Sequence, residues 1–201
     1  MAHEIPIGVS VAELRPTQIT CGLREVELKR KAWRKADDTE KAHLLRTHVV
    51  PAVTGPKGRY YIVDHHHFAH ALIDEKAPLV ALYIIAELDH LEKDEFWTFL
   101  DNSDWCHAYD EQGRRKALSD IPKSLGDLKD DPYRSLVAEL IRAGGCAKTD
   151  KPFFEFLWAD FLRRRIDLAL MDQDFDAALA RAKDLARGAD ARGLPGWCGE
   201  A

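Results

Sequence analysis

The feature that most constrains the fold of this chain is an apolar run that ends in a carboxylate and is followed at once by histidines. Residues 60–63 are aromatic or β-branched, which is typical of a buried strand, and Asp64 ends the run. From residue 66 onward the apolar positions have helical spacing. The pattern predicts a strand that leads into a helix. Four of the nine histidines lie at this junction: His65, His66, His67 and His70.

Histidine titrates near neutrality and binds metals, so a cluster of four predicts a functional site, although some members can instead pack or cap the helix. A helix that starts just after Asp64 directs free backbone N–H groups and the positive end of its dipole toward the cluster. An anion is the expected ligand there. The same field favours neutral imidazoles, which can accept a proton or bind a metal. Asp64 either caps the helix or acts as a general base or metal ligand.

The spacing of His66 and His70, four residues apart, places them on one helix face and is typical of two imidazoles that bind one zinc ion. Asp64 or His107 would supply a third ligand. In the alternative interpretation, His66 and His67 face the pocket and His70 lies on the helix flank. We therefore keep a divalent metal, bound by His66, His70 and Asp64, as one hypothesis.

The first half of the chain alternates predicted strands and helices, which indicates an α+β domain over residues 1–90. Strands are expected at residues 5–9, 51–54, 59–63 and 78–86. A long polar helix is expected to begin after Gly22 and to end at residue 45. If this helix is interrupted, the break is expected near Asp37 and Asp38.

Beyond residue 91 the patterns are helical, and residues 91–201 are predicted to form an all-helical extension that packs on the first domain. Helices are expected at residues 94–100, 133–143, 153–170 and 175–186. Pro132 follows Asp131, so Asp131 is expected to cap the second of these helices. The aromatic-rich face of residues 153–162 is expected to lie in a core or a helix contact.

The charge balance argues against binding of duplex DNA through bulk electrostatics. The chain has 29 basic and 34 acidic residues, for a net charge of −5. Two basic runs, residues 29–35 and 163–165, are interleaved with acidic residues and are expected to be solvated helix faces. We therefore expect no tight binding of duplex DNA at physiological salt.

The remaining composition indicates a soluble protein of the cytoplasm. All apolar runs are too short to span a membrane, and the N-terminus lacks the pattern of a secretory signal. The four cysteines are far apart in the sequence, which supports neither a disulfide framework nor a structural zinc site. The sequence leaves the oligomeric state open.

Several motifs resemble the ParB-like nuclease family, a distant branch of the ParB/sulfiredoxin fold. In that fold a strand delivers a motif of the type Asp-Gly-His-His-Arg to a helix N-terminus, and its members include sulfiredoxins, nucleotide-hydrolysing partition proteins and free-serine kinases. Two segments of the helical half, residues 130–136 and 144–148, also resemble the family's C-terminal segment. The matching residues before the helical half are Leu14, Arg15, Pro16, Thr17, Gln18, Gly22, Val26, Lys29 and Asp64 with the histidines after it.

The chain departs from the motif at two positions. His65 stands where the wider superfamily usually has Gly, and Phe68 stands where it usually has Arg. Loss of that Arg removes a bidentate phosphate clamp, so nucleotide binding does not follow from the resemblance alone. Arg134, in the first turn of a predicted helix, either replaces the missing cation or forms a surface salt bridge.

The resemblance and the residue chemistry together give one set of predicted site residues. Asp64, His66 and His67 are the predicted catalytic residues. The predicted ligand-binding or phosphate-binding residues are Gln18, Gly22, Lys29, His65 and Arg134.

Three functions fit these residues. The first is an enzyme that acts on a phosphorylated small molecule or nucleotide by phosphoryl transfer or hydrolysis, with a divalent metal neutralising phosphate charge. The second is a nuclease or DNA-associated partition protein. The third is a non-catalytic module that binds a metal or another ligand.

Overall fold

The computed structural model of the protein describes residues 6–199 and has an α+β fold, as the sequence predicts. A five-stranded mixed sheet has the order β1-β6-β4-β5-β2. Strand β6 pairs antiparallel with β1 and parallel with β4, while β5 pairs antiparallel with β4 and parallel with β2. The strands are β1 (Ile7–Ser10), β2 (Leu14–Arg15), β4 (Val50–Gly55), β5 (Arg59–Ile62) and β6 (Leu79–Glu87).

The predicted strands of the first half are confirmed with small changes at their ends. The first one was expected from residue 5, which lies outside the described residues, and β1 ends at Ser10. The long polar helix is two helices, α1 (Leu23–Lys35) and α2 (Asp38–Thr47). They separate where the sequence indicated a break, because Asp37 accepts a hydrogen bond from the backbone N–H of Glu40 and caps α2.

Helix α3 (His66–Asp74) begins four residues after the end of β5, so the predicted strand-to-helix junction is confirmed. In the helical half, the expected helix over residues 153–170 is wrong, since two helices are present and Ile166 packs between them in a core cluster. The helices are α4 (Lys93–Asn102), α5 (Pro132–Arg142), α6 (Phe154–Arg163), α7 (Leu168–Gln173) and α8 (Phe175–Arg187).

A second, two-stranded parallel sheet joins the two halves of the chain, and sequence reasoning did not predict it. Strand β3 (Thr20–Cys21) pairs with β7 (Lys129–Asp130), which lies directly before α5. The expectation of no strand beyond residue 91 is therefore wrong. Both strands have two residues, too few to produce an alternating pattern.

Apolar side chains form three buried clusters that fix the helices around the sheet. One lies between α1, α3 and the sheet face that carries Ala52 and Ile62, and it includes Leu125 and Leu128 from the helical half. A second lies between the opposite sheet face and α4, and a third lies among α5, α6 and α8. The domain boundary near residue 90 stays a prediction. No helix within residues 6–199 combines the length and apolar character needed to cross a membrane.

Candidate functional site

Two adjoining depressions lie where the loop after β2, the start of α3 and the first turns of α5 and α6 meet. Their volumes are about 400 and about 370 Å³. We call the two together the α3–α5 cavity. The residues that line both depressions are Gln18, Asp64, His66, Arg134, Lys148 and Glu155.

The α3 wall of this cavity is tied through two imidazoles to the segment between β2 and α1. The backbone N–H of Thr17 donates to Nε2 of His66 at 3.2 Å, and the backbone N–H of Gly22 donates to Nε2 of His67 at 3.0 Å. Because Nε2 is the acceptor in both rings, a neutral ring carries its proton on Nδ1. Each imidazole therefore has a proton to donate, and its basic nitrogen is already used by the backbone.

Both of these histidines are neutral at pH 7. Burial, reinforced by nearby Arg134, lowers the pKa of His66 to about 3, and the same causes lower the pKa of His67 well below its usual value. The sequence led us to expect neutral rings because of the field of the helix, whereas burial is the larger cause here.

Asp64 lies at the mouth of the cavity and does not cap α3. Its Oδ1 accepts the backbone N–H of His65 at 2.6 Å, and the N-cap position belongs to His65. His65 adopts a left-handed conformation with φ of 63°, which other side chains adopt less readily than Gly, the usual residue at this motif position. Asp64 is exposed and lines both depressions. The capping alternative for Asp64 is therefore wrong, and its carboxylate is available to a ligand.

The predicted metal ligands have different neighbours. Nδ1 of His70 lies 3.6 Å from Sγ of Cys21, and Nε2 of His70 lies 3.8 Å from Oδ1 of Asp74, away from the residues that line the cavity. His66 uses Nε2 to accept the Thr17 N–H. Within residues 6–199 no three His, Cys, Asp or Glu side chains are grouped to hold a metal ion. A metal stays a prediction from histidine spacing, and no step below depends on it.

The opposite wall carries Arg134, which is buried with 5% of its surface exposed. Its Nη2 donates to Glu155 Oε2 at 2.7 Å, and its guanidinium lies 3.7 Å from the centre of the Phe156 ring. The Nε and Nη1 groups are buried without a hydrogen-bond partner among residues 6–199. A buried guanidinium with two unpaired nitrogens is unusual, because such donors are normally satisfied by protein, water or an ion.

The other predicted ligand-binding residues occupy different places around the cavity. Gln18 is buried and lines both depressions, whereas His65 and Lys29 line only the second. Gly22 lies behind the cavity wall. A Cβ at Gly22 would lie 2.8 Å from the backbone nitrogen of Ser135, so this Gly lets the start of α5 approach α1.

Phe68 stands at the motif position of the missing Arg and lines the second depression. The ring is buried in the core between α3 and the sheet, and it lies 5.0 Å from the ring of His48. Asp131 caps α5 as predicted, because its Oδ1 accepts the backbone N–H of Tyr133 at 3.1 Å. This cap and the proximity of Gly22 hold Arg134, the third residue of α5, against the cavity.

Sequence reasoning missed Lys148 and Glu155, both of which line the two depressions. Lys148 ends a segment that carries the family resemblance, and that position was the one available signal. Glu155 stands among aromatic residues, and no sequence pattern marks it. Phe153 and Phe156, expected in a core, line the first depression.

The comparisons with known proteins agree with this architecture. The model of the ParB-like nuclease family matches residues 7–164, which is more than half of the chain. The crystal structure of protein Atu1540 from Agrobacterium tumefaciens is similar to this chain, with 49% sequence identity and a TM-score of 0.90, over 98% of this chain and 99% of that one. Among curated proteins no sequence matches. The chain belongs to the ParB-like nuclease family.

Proposed function

We propose that this protein is an enzyme that binds a phosphorylated small molecule or nucleotide in the α3–α5 cavity and transfers or hydrolyses its phosphoryl group. The observation that carries the proposal is the state of Arg134. Its Nε and Nη1 have no partner although the side chain is buried and lines the cavity. An anion is the group that best satisfies such donors.

The surroundings of Arg134 support a compact, highly charged anion. Neutral His66 and His67 have an Nδ1 proton to donate, and α3 begins without a side-chain cap within the described residues. A phosphate accepts several hydrogen bonds at once, and the N-terminus of a helix favours negative charge. Carboxylates also line the cavity, but Glu25 is held by Arg142, whose Nη1 donates to it at 2.9 Å.

The exposed carboxylate of Asp64 is the group that fits the role of general base. Its Oδ1 is held by the His65 backbone, which fixes the side chain beside His66. A positioned carboxylate next to a phosphate can accept the proton of a water or of an acceptor hydroxyl. In this proposal Arg134 and the imidazoles hold the phosphate and Asp64 takes up the proton.

The test measures binding and turnover separately. Inorganic phosphate, ADP and ATP are titrated calorimetrically into the wild type and into Arg134→Met, with Arg192→Met as a control that removes an exposed arginine outside the cavity. Arg134→Met should weaken binding at least about tenfold, because a charge-assisted hydrogen bond to a buried arginine is lost. Phosphate release is then compared in the wild type and Asp64→Asn, which should bind normally and release none.

A nuclease is the second candidate, and family membership is the observation that favours it. The same residues would then hold a phosphodiester in place of a terminal phosphoryl group. Incubation with a bis-ester model substrate and with a phosphomonoester separates the two candidates. Tight binding of every probe without release of any product would instead favour the non-catalytic module.

A further inference from the structure

A second groove lies at the other end of β5, away from the α3–α5 cavity. Arg59 opens β5 and lines this groove, whereas Asp64 follows the end of the strand. The groove has a volume of about 230 Å³, and no carboxylate from the described residues lines it. We call it the basic groove. Its charged and aromatic members are Arg15, Lys57, Arg59, Lys93, Lys123, Tyr61 and Trp97.

The cations of the basic groove differ from those of the two basic runs in the sequence. The arginines of the runs are paired: Arg30 and Arg34 contact Glu75 at 2.8 and 2.6 Å, and Arg163 contacts Asp131 at 2.5 Å. Arg163 is therefore not the solvated side chain that we expected. No ion pair with a carboxylate of residues 6–199 engages any of the five groove cations.

The backbone holds these cations together although they are distant in sequence. Nη1 of Arg15 donates to the backbone oxygen of Lys123 at 3.0 Å, which joins the edge strand β2 to the loop before β7. Lys57 stands in the turn between β4 and β5 with φ of 67°, a left-handed conformation that costs free energy for a residue other than Gly. Such a conformation at a cation is consistent with a binding role.

Trp97 gives the basic groove a rigid aromatic surface. Its ring is half-buried and meets the rings of Tyr61 and Phe96 edge to face, with centroid distances of 5.6 and 5.4 Å. Both supporting rings are buried, so the orientation of Trp97 is fixed by the core. A half-buried ring beside cations without an ion pair is the combination on which nucleobases stack while phosphates bind.

We propose that the basic groove binds single-stranded nucleic acid, with phosphates on the five cations and a base on Trp97. The groove is smaller than the roughly 300–1,000 Å³ of pockets that enclose a whole small molecule, which favours one unit of an extended polymer. A duplex keeps its bases stacked on each other and offers none to Trp97. This site is separate from the α3–α5 cavity, and the proposal does not depend on the function proposed there.

The experiment measures the anisotropy of short fluorescein-labelled oligo(dT) and oligo(U) with the full-length protein at several salt concentrations. The groove variant combines Lys57→Gln and Arg59→Gln. The control variant combines Arg114→Gln and Lys116→Gln, which removes the same charge from exposed positions outside the groove. The groove variant should bind about tenfold more weakly, and its salt slope should fall by about 1.4, the value for two lost phosphate contacts on a single strand. The control variant should bind nearly as the wild type does.

Trp97→Leu tests the stacking separately, and its thermal unfolding is measured beside its binding. Oligonucleotide affinity should fall about tenfold, as expected for one stacked base. Arg134→Met should leave this binding unchanged, which separates it from the phosphate site.

Three results would overturn the proposal. The first is equal weakening in the groove and control variants, and the second is equally tight binding of a duplex or of polyglutamate. The third is that the wild type binds neither oligonucleotide.

Discussion

The two walls of the α3–α5 cavity differ in what their polar groups have left to offer a ligand. On the α3 wall, Nε2 of His66 and of His67 each accepts a backbone N–H from the segment between β2 and α1. On the α5 wall, Arg134 is buried but its Nε and Nη1 have no partner within residues 6–199. Each histidine therefore uses its basic nitrogen in the fold and keeps one Nδ1 proton for a ligand, whereas the arginine keeps two donor nitrogens.

This difference shows that the residues most noticeable in a sequence are not always those with hydrogen-bonding groups left for a ligand. Four histidines close together predict chemistry, yet a buried imidazole that accepts a backbone N–H contributes first to stability. A single buried arginine attracts less notice in a sequence. Its unpaired nitrogens nevertheless give the clearest indication of a ligand among the residues that the structure describes.

The largest expected effect is loss of stability in mild acid, which would show that the α3 wall is structural. An unfolded histidine takes up a proton near pH 6.5, whereas burial lowers the pKa of His66 to about 3 in the folded chain and lowers the pKa of His67 well below its usual value. Stability is greatest above pH 6.5 and falls as the pH drops toward 3. At pH 5 His66 should contribute a loss of about 2 kcal/mol, and His67 should add to this loss.

Urea unfolding at pH 7.5 and pH 5 measures this loss. His66→Gln removes one titrating group but keeps an acceptor for the Thr17 N–H, so its stability should depend less on pH than that of the wild type. If the wild type were equally stable at both pH values, the folded chain would have to bind protons at these rings. The histidines of the α3 wall would then not be held neutral by the fold, which contradicts the difference described between the two walls.

The next effect concerns the hydrogen bond from Thr17 to His66. His66→Ala should lower the free energy of unfolding by about 3 kcal/mol, because it leaves a buried N–H without an acceptor and opens a void. His90→Ala changes an exposed histidine in the same way and should stay within about 0.5 kcal/mol of the wild type. Urea unfolding at pH 7.5 measures both. A His66→Ala protein of normal stability that has lost ligand binding would make His66 a ligand group and not a structural one.

The smallest effect sharpens the description of the α5 wall. Glu155 holds Nη2 of Arg134 at 2.7 Å and competes with an incoming anion for the same guanidinium. Glu155→Gln removes the negative charge and should tighten the binding of inorganic phosphate about three- to tenfold, because repulsion is removed. Calorimetric titration measures the change, with Glu139→Gln as the control. Weaker binding in Glu155→Gln would mean that the carboxylate orients Arg134 for the ligand.

The sequence predicts well the elements that have a long, regular pattern. Helix α5 begins after Asp131 as expected, and the break between α1 and α2 coincides with the cap at Asp37. The resemblance also identified the family, because its motif residues are local in sequence. The sequence offers Arg134 either as a replacement for the cation missing at Phe68 or as a surface salt bridge, and the side chain is buried and lines the cavity.

The rest depends on contacts between distant parts of the chain. No local pattern shows that Nε2 of His67 accepts the N–H of Gly22, so the sequence could not tell a structural imidazole from a free one. Glu155 reaches the cavity only because α6 packs on α5. The cations of the basic groove come from separate elements, whereas the basic runs that are visible in the sequence are paired with acids.

The short pairing of β3 with β7 has a consequence for how the protein is made. Thr20 lies in register with Lys129, whose N–H donates to the backbone oxygen of Ile19 at 3.0 Å, so the segment that binds His66 and His67 is fixed by residues synthesised more than a hundred positions later. Contacts so far apart in sequence form late, because a long loop must close first. During translation, the hydrogen bonds to His66 and His67 are fixed only after β7 and α5 have emerged from the ribosome. The cavity is thus completed only after most of the chain has been translated, and a nascent chain that lacks the second half has no such site.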